Sequence, residues 1–572
     1  MTFTLRLVCG IAAAGFLLFN CAGGKRSAPG SNRLSTTGPK GRELFTTHCV
    51  SCHAMEQEEI GPKLGGITSL LPEKELIEFI KNPGYVIESG NVRAVSLSKR
   101  YKMIMPPFDF LKDSEIRSIL DYIASETQRR HIAPLEVEAD TGASSGRLGQ
   151  PVVKTGLHIE LEDFMTIPPS GDKMPRTRIA NMRPHPSHDG TLYVSDQRGL
   201  IYRIGGKDVS TFLDLRPVVE NFVNEPGLGT GLGSFAFHPE YLRNGLIYIT
   251  HTESFRGKPA DYSYDDSVKV ALQWVISEWK MDDVKSPVFK GTWRELLRIN
   301  VPGVVHGTQD IGFNPQAVKG DEDYGLLYIG TGDGGSTIGK HPELCHTLHS
   351  LLGTIIRIDP LGNNSRNGKY GIPPGNPFVN VAGDIYKEIY AYGFRNPHRL
   401  SWHNGRLFSA EIGESNFEEV NIIVKGGDYG WNVREGNYAI SFKDLKNVYP
   451  VPEAEAGKFV KPYLQYDHVD GNAISGGYVY EGPIAALKNK YIFGDIVNGR
   501  IFYANIDSQP SDQTVYELTI VRDGKETSLA EMSGSKRVDI RIEYDRFTGE
   551  LYVMTKSDGK IRRVVSATER NR

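Results

Sequence analysis

The segment Gly190-Thr-Leu-Tyr193-Val194, followed after a turn by Gly199-Leu-Ile201-Tyr-Arg-Ile204, states a theme that the chain repeats. An apolar strand ends in a turn, a strand rich in Tyr, Val and Ile follows, and then come glycine and another short strand. Copies stand at Phe235 to Pro239 with Gly245 to Tyr248, at Ile311 to Pro315 with Gly325 to Ile329, and at Leu400 to Trp402 with Gly405 to Phe408. Two more run from Gly476 to Ile501 and from Val538 to Ile561. Tyr, Val and Ile suit half-buried pleated positions, and glycine permits the tight returns. Six copies predict an all-β six-bladed β-propeller, because a four-stranded blade is apolar on both faces and buries them only by stacking in a ring. A sandwich rarely needs so many residues, and a parallel β-helix repeats at a shorter period. Since the sixth copy is the last, Leu157 to Ile167 is expected to supply an outer strand of the final blade and close the ring.

Outward from this repeat, 572 residues exceed one ordinary core and predict several domains. A net charge of −3 gives a polyanion no electrostatic support, so nucleic acid is not an expected partner. Beyond residue 20 no apolar run reaches about eighteen residues, the length of a membrane span. Arg6 precedes the apolar run Leu7 to Phe19, which has the length of a signal-peptide core. Cys21 after Leu18-Phe19-Asn20 resembles a bacterial lipobox with unusually large residues before the cysteine; the alternative is an ordinary signal peptide cleaved nearby. Lipid on Cys21 would hold the protein at a membrane through the anchor alone, exported to a periplasmic or outer surface. The expected order is a signal peptide at 1–21, a tether at 22–40, a small all-α domain at 41–130, a linker at 131–152 and the propeller at 153–572.

The all-α domain carries Cys49-Val50-Ser51-Cys52-His53. Two thiols separated by two residues can bond to the two vinyl groups of one haem, and the adjacent His53 imidazole then reaches the iron. Cys49, Cys52 and His53 therefore predict haem c. For the opposite iron face Met105 is the expected ligand and Met103 its competitor, while His48 is expected to be solvated. Asp113 is a plausible helix N-cap ahead of Ile116, Ile119, Leu120 and Ile123, which fall on one helical face. With Gly61-Pro62-Lys63-Leu64 and Met105-Pro106-Pro107, residues 41–130 resemble a class I cytochrome c. Cys345 lies among His341, Glu343, His346 and His349, and reads as part of a short packed helix rather than a metal site.

The propeller region resembles the glucose/sorbosone dehydrogenase family, the soluble pyrroloquinoline quinone (PQQ)-dependent sugar dehydrogenases. The resemblance rests on Gly231-Leu-Gly-Ser-Phe235-Ala-Phe-His-Pro239, Tyr328-Ile-Gly-Thr-Gly332-Asp333-Gly-Gly335, Tyr392-Gly-Phe-Arg395-Asn396-Pro397 and Glu411-Ile-Gly413 running to Asn421. It implies His306 as general base, Asp333 as its carboxylate partner, and Arg395 and Asn396 facing the quinone. It also implies calcium near Gly413, Glu414, Glu418 and Glu419. Three departures stand out. The family's glutamine falls on Gly229, its quinone-binding lysine on Val497, and its two arginines on Lys536 and Val538, with Arg537, Asp539 and Arg541 nearby. The expectation is an enzyme that oxidises an aldose or other alcohol at PQQ and passes electrons through the haem to a respiratory acceptor. The alternative is an inactive propeller, used for binding or docking, beside an electron-transfer cytochrome.

Overall fold

The computed structural model describes residues 38–135 and 147–570, apart from 51, 59, 60, 90, 102–104, 173, 442–444, 446 and 507–512. Cys21 and Met103 lie outside the described residues. Among those described, no helix is long and apolar enough to cross a membrane.

The N-terminal region is helical, and its longest helix, Asp113–Arg130, buries Ile116, Ile119, Leu120 and Ile123 on one face. That face packs under the first helix, Gly38–His48. Asp113 is the first helical residue and not the cap; Lys112 stands at the cap, and the Glu115 carboxylate accepts its backbone N–H at 3.0 Å. Two expected boundaries shift. The first helix begins at Gly38, inside the expected tether, and Ile132 and Pro134 pack against Gly65 and Gly66, so the start of the expected linker belongs to this region. At the linker's other end, Leu148 and Gly149 N–H groups donate to Asp467 and that of Val152 to Asp470, pinning it to the β region.

The β region is built from four-stranded antiparallel units. The first spans Ile179–Pro184 to Asp208–Asp214, the second Leu232–Phe237 to Gly291–Val301, and the third Thr308–Phe313 to Ile389–Tyr392. The fourth runs from Pro397–His403 to Leu464–Asp467, and the fifth from Ile474–Val479 to Tyr516–Arg522. In the sixth, Ile540–Asp545, Glu550–Thr555 and Lys560–Glu569 are completed by Val153–Thr166, which pairs antiparallel with Lys560–Glu569. The expected closing strand is thus present. It also pairs in parallel with Tyr516–Arg522, which merges the fifth and sixth units into one sheet.

The first strands of successive units touch in order, and that of the sixth returns to that of the first. Every seam holds its own apolar cluster. At the closing seam Tyr552, Met554 and Ile561 pack with Ile179, Val194 and Tyr202. Each such side chain contributes roughly 1.5–3 kcal/mol when fully buried, so every unit draws stability from the seams it shares with both neighbours. A bonding rule recurs at one end of the ring, three times through the backbone and once through the Thr177 hydroxyl: a residue one or two past a unit's second strand bonds to a residue at, or two before, the start of the next unit's first strand. Gln197 O accepts from Leu232 N, Asp333 N donates to Arg395 O, Val497 O accepts from Val538 N, and Lys556 O accepts from Thr177 Oγ1.

Candidate functional site

This rule gathers His306, Asp333, Arg395 and Asn396 at one end of the ring. His306 precedes the first strand of the third unit with φ of +52°, a left-handed conformation that non-glycine residues adopt only when surroundings enforce it. The enforcement is visible. His306 O accepts from Gly334 N at 3.0 Å, and a side chain on Gly332 would bring its first carbon within 2.1 Å of that oxygen. Gly307 lies so close under Trp274 that only glycine fits. The result aims the imidazole at Asp333: His306 Nδ1–H donates to Asp333 Oδ1 at 2.9 Å. Asp333 also accepts the N–H groups of Gly335 and Thr337. Burial alone would raise its carboxyl, but His306, Arg395 and Thr337 outweigh that and hold it at about 2. The Asp333 side chain is fully buried whereas 15% of the His306 side chain is exposed, so the free Nε2 is the reachable end of the pair. A fixed carboxylate holding the Nδ1 proton leaves Nε2 as a base.

Arg395 is joined to this pair through the Asp333 N–H bond to its carbonyl, 2.8 Å. Its guanidinium donates to the carbonyls of Ile412 at 3.1 Å and Gly413 at 2.7 Å and pairs with Glu414. Its Nε, and both amide atoms of Asn396, are buried without partners among the described residues. Orphaned buried polar atoms demand a partner, and here they stand beside His306: a side chain on Gly332 would meet both His306 O and Asn396 Oδ1.

The four residues expected at calcium do not converge. Glu418 and Glu419 are adjacent on the strand Phe417–Ile422, so their side chains leave on opposite faces. Glu418 binds His468 and Ile474 N–H, while Glu419 binds Gly436 N–H and Asn421. Gly413 O and Glu414 do lie together, both engaged by the Arg395 guanidinium. Among the described residues no group of three His, Cys, Asp or Glu side chains is arranged to hold a metal. The expected set therefore does not fit calcium. A residue the sequence reading missed builds this loop: Glu435 Oε1 accepts the N–H groups of Glu414, Ser415 and Asn416 at 2.8, 2.7 and 2.8 Å.

The departures from the family have physical form. A side chain on Gly229 would begin 2.7 Å from His306 N, so glutamine has no room there. Val497 is buried with Ala473 and Ile496, and Lys536 points to solvent. Buried positive charge is found elsewhere, at Arg399, Arg541 and Lys556. Arg399 donates to Gln309 O of the third unit and Ala180 O of the first, so it spans the middle of the ring. His398 is buried in the same region with Nδ1 3.1 Å from Gln309 Oε1; burial first, then Arg399, Arg541, Lys556 and His306, push its imidazole well below the usual range. A tricarboxylate quinone needs cations and hydrogen-bond donors. The orphaned Asn396 amide and this charge fit one.

In the helical region a cavity of about 280 Å³ is lined by Cys49, Cys52, His53 and Met105. His53 Nδ1–H donates to Pro62 O at 2.7 Å, fixing the tautomer that leaves Nε2 free, and burial lowers the ring's pKa so that it stays neutral. Gly61 is required there, because a side chain would meet the ring at 2.5 Å. Arg93 reaches the same cavity with its Nε buried and unpartnered among the described residues. These residues fit a haem, including its carboxylates. His48 is not solvated as expected. It lines the cavity and packs edge-on against Phe108 and Phe110, and burial lowers its pKa. Cys345 is buried with Sγ 3.3 Å from Ser336 Oγ, at the end of a short 3₁₀ helix.

Comparison with known proteins agrees with this division. Residues 181–563 match the family described as Glucose / Sorbosone dehydrogenase, and residues 39–127 match Cytochrome c. HIPL1 protein of Arabidopsis thaliana is 27% identical over 425 residues, covering 63% of this chain but 57% of the plant protein, so this chain spans little more than half of that relative. Quinoprotein glucose dehydrogenase B of Acinetobacter calcoaceticus is 26% identical over 384 residues, covering 62% of this chain and 74% of that one. The soluble aldose sugar dehydrogenase of Escherichia coli, solved in the apo-form, superposes with a TM-score of 0.50 at 19% identity over 72% of this chain and all of that chain, a likeness of fold.

Proposed function

The chain belongs to the glucose/sorbosone dehydrogenase family and carries a cytochrome c domain in front, and on that premise we propose that it is an exported quinohaemoprotein that oxidises an aldose or other alcohol. The six units are read as the blades of a six-bladed propeller. The observation that carries the reading is the His306–Asp333 hydrogen bond, set where an imidazole edge stays reachable beside orphaned buried donors.

PQQ bound at this end of the ring would accept the hydride that leaves the carbinol carbon. The chain supplies the rest. His306 Nε2 takes the hydroxyl proton as the hydride departs, and Asp333 holds the Nδ1 proton and stabilises the imidazolium. Asn396 and the Arg395 Nε offer hydrogen-bond donors to the cofactor's oxygens. Cys49 and Cys52 would hold haem c covalently, with His53 and Met105 as ligands to its iron, and the group would supply one-electron transfer toward a respiratory acceptor. Lipid on Cys21 would keep the protein at the membrane on the periplasmic or outer side. Calcium enters as a component to be tested, and no step is routed through it.

The test is to load purified protein with PQQ, with and without calcium, and follow the haem spectrum on adding aldoses and simple alcohols. Haem reduction by at least one of them is expected. An oxidised haem with every substrate, in protein that dithionite still reduces, overturns the reading. A second reading, a propeller that only docks another protein, draws on the absence of room at Gly229 and the apolar Val497. It predicts no PQQ binding at all.

A further inference from the structure

Lys556 is the unexpected member of the site. It directly follows the second strand of the sixth unit, as Gln197 follows that of the first, while Asp333 and Val497 stand two residues past theirs, so it lies at the same end of the ring as the base. The fifth unit presents an apolar residue where the family resemblance asks for lysine, and the neighbouring unit presents a lysine at the same end of the ring. Its surroundings do not neutralise it. Only 5% of Lys556 is exposed, and Nζ donates at 2.7 Å to Gln197 Oε1, an uncharged acceptor. Among the described residues no carboxylate lies in ion-pair range of it.

Arg541, on the first strand of the same unit, is 4% exposed; Nη1 donates to Ile540 O and Nε is buried without a partner among the described residues. Burial, and then Arg541, Arg178 and Arg399 against the one opposing charge of Asp539, push Lys556 well below the usual lysine range. Burial and Arg399 likewise bring Arg541 down to about 9. Buried cations that repel one another are costly unless an anion joins them. Asp539, itself held at φ of +51° and bonded to Arg537, does not balance the group.

We propose that Lys556 and Arg541 bind carboxylate groups of the anionic quinone, taking over from the family cations that fall here on apolar Val497 and Val538 and on the solvent-exposed Lys536. This rests on the quinone reading above. The two side chains are binding residues, and neither takes part in proton transfer.

The test is calorimetric titration of PQQ, in calcium-containing buffer, into the full haem-loaded chain and its Lys556→Met, Lys556→Arg and Arg541→Gln variants. Loss of one charge-assisted contact weakens binding roughly 10- to 100-fold. Lys556→Met and Arg541→Gln are each expected to show that loss, and Lys556→Arg to recover most of it. If the wild-type chain binds PQQ and both charge-removing variants bind equally tightly, the assignment is overturned and the quinone reading stands. If the wild-type chain does not bind PQQ, the quinone reading fails and the assignment falls with it. Should Lys556→Met not fold, Arg541→Gln decides by the same criterion.

Discussion

The two regions of this chain encode chemistry in opposite ways. In the helical region Cys49, Cys52 and His53 stand within five consecutive positions and line one cavity. In the β region the site is scattered along the chain, and among its members just Arg395 and Asn396 are neighbours in sequence. His306 and Asp333 are joined across 27 positions, Arg395 is tied to Asp333 by one backbone hydrogen bond, and Lys556 arrives from the last unit. A local motif tolerates drift around it, because its geometry is internal. A site assembled from several units can move a charge from one unit to the next without changing the ring, and a position-by-position match does not follow that move.

The contrast yields tests of decreasing size. Cys52→Ser together with Cys49→Ser should abolish covalent haem, read as loss of haem staining after denaturing electrophoresis. The thermal unfolding of the β region should not change, since its apolar seams are its own. Next, Asp333→Asn should lower kcat by roughly 10²–10⁴-fold, the range for a base that loses its orienting carboxylate. Haem content should stay normal. A drop below tenfold would make Asp333 a structural residue.

Smaller effects probe how the ring holds its site. Gly229→Gln restores the family residue but would press on His306 N, so activity should fall, by about tenfold, and not rise. Glu435→Ala removes the acceptor of four backbone N–H groups and should cost about 1–3 kcal/mol of stability, measured by denaturant unfolding. Asp333 also predicts an acid response. Its folded pKa of about 2 lies below the ordinary carboxylate value of 3.8, so its contribution, on the order of 2 kcal/mol, is fully present above pH 4. It is lost as pH falls through about 2, and Asp333→Asn should flatten that part of the stability profile.

Much of this was legible beforehand. The Tyr, Val and Ile strands and their glycine returns announce every unit, and the strand from Val153 to Thr166 follows from the need to close a ring. His306 and Asp333 were readable because motifs on both sides name them. Other features were not, for stated reasons. Glu418 and Glu419 look like a pair in one dimension, but a strand sends them to opposite faces. Lys556 is one lysine in a turn, and nothing local reveals that folding will bury it beside Arg541. The packing of His48 on Phe108 and Phe110 depends on contacts sixty residues apart.

The central claim is that one imidazole in the β region controls electrons that appear at the haem. The most direct measurement compares wild-type and His306→Ala protein, both loaded with PQQ, in rapid mixing with the aldose that reduces the wild type best. The account predicts prompt haem reduction in the wild type and a rate at least 10²-fold lower in the variant, with PQQ binding retained. Equal rates in the two proteins would contradict it.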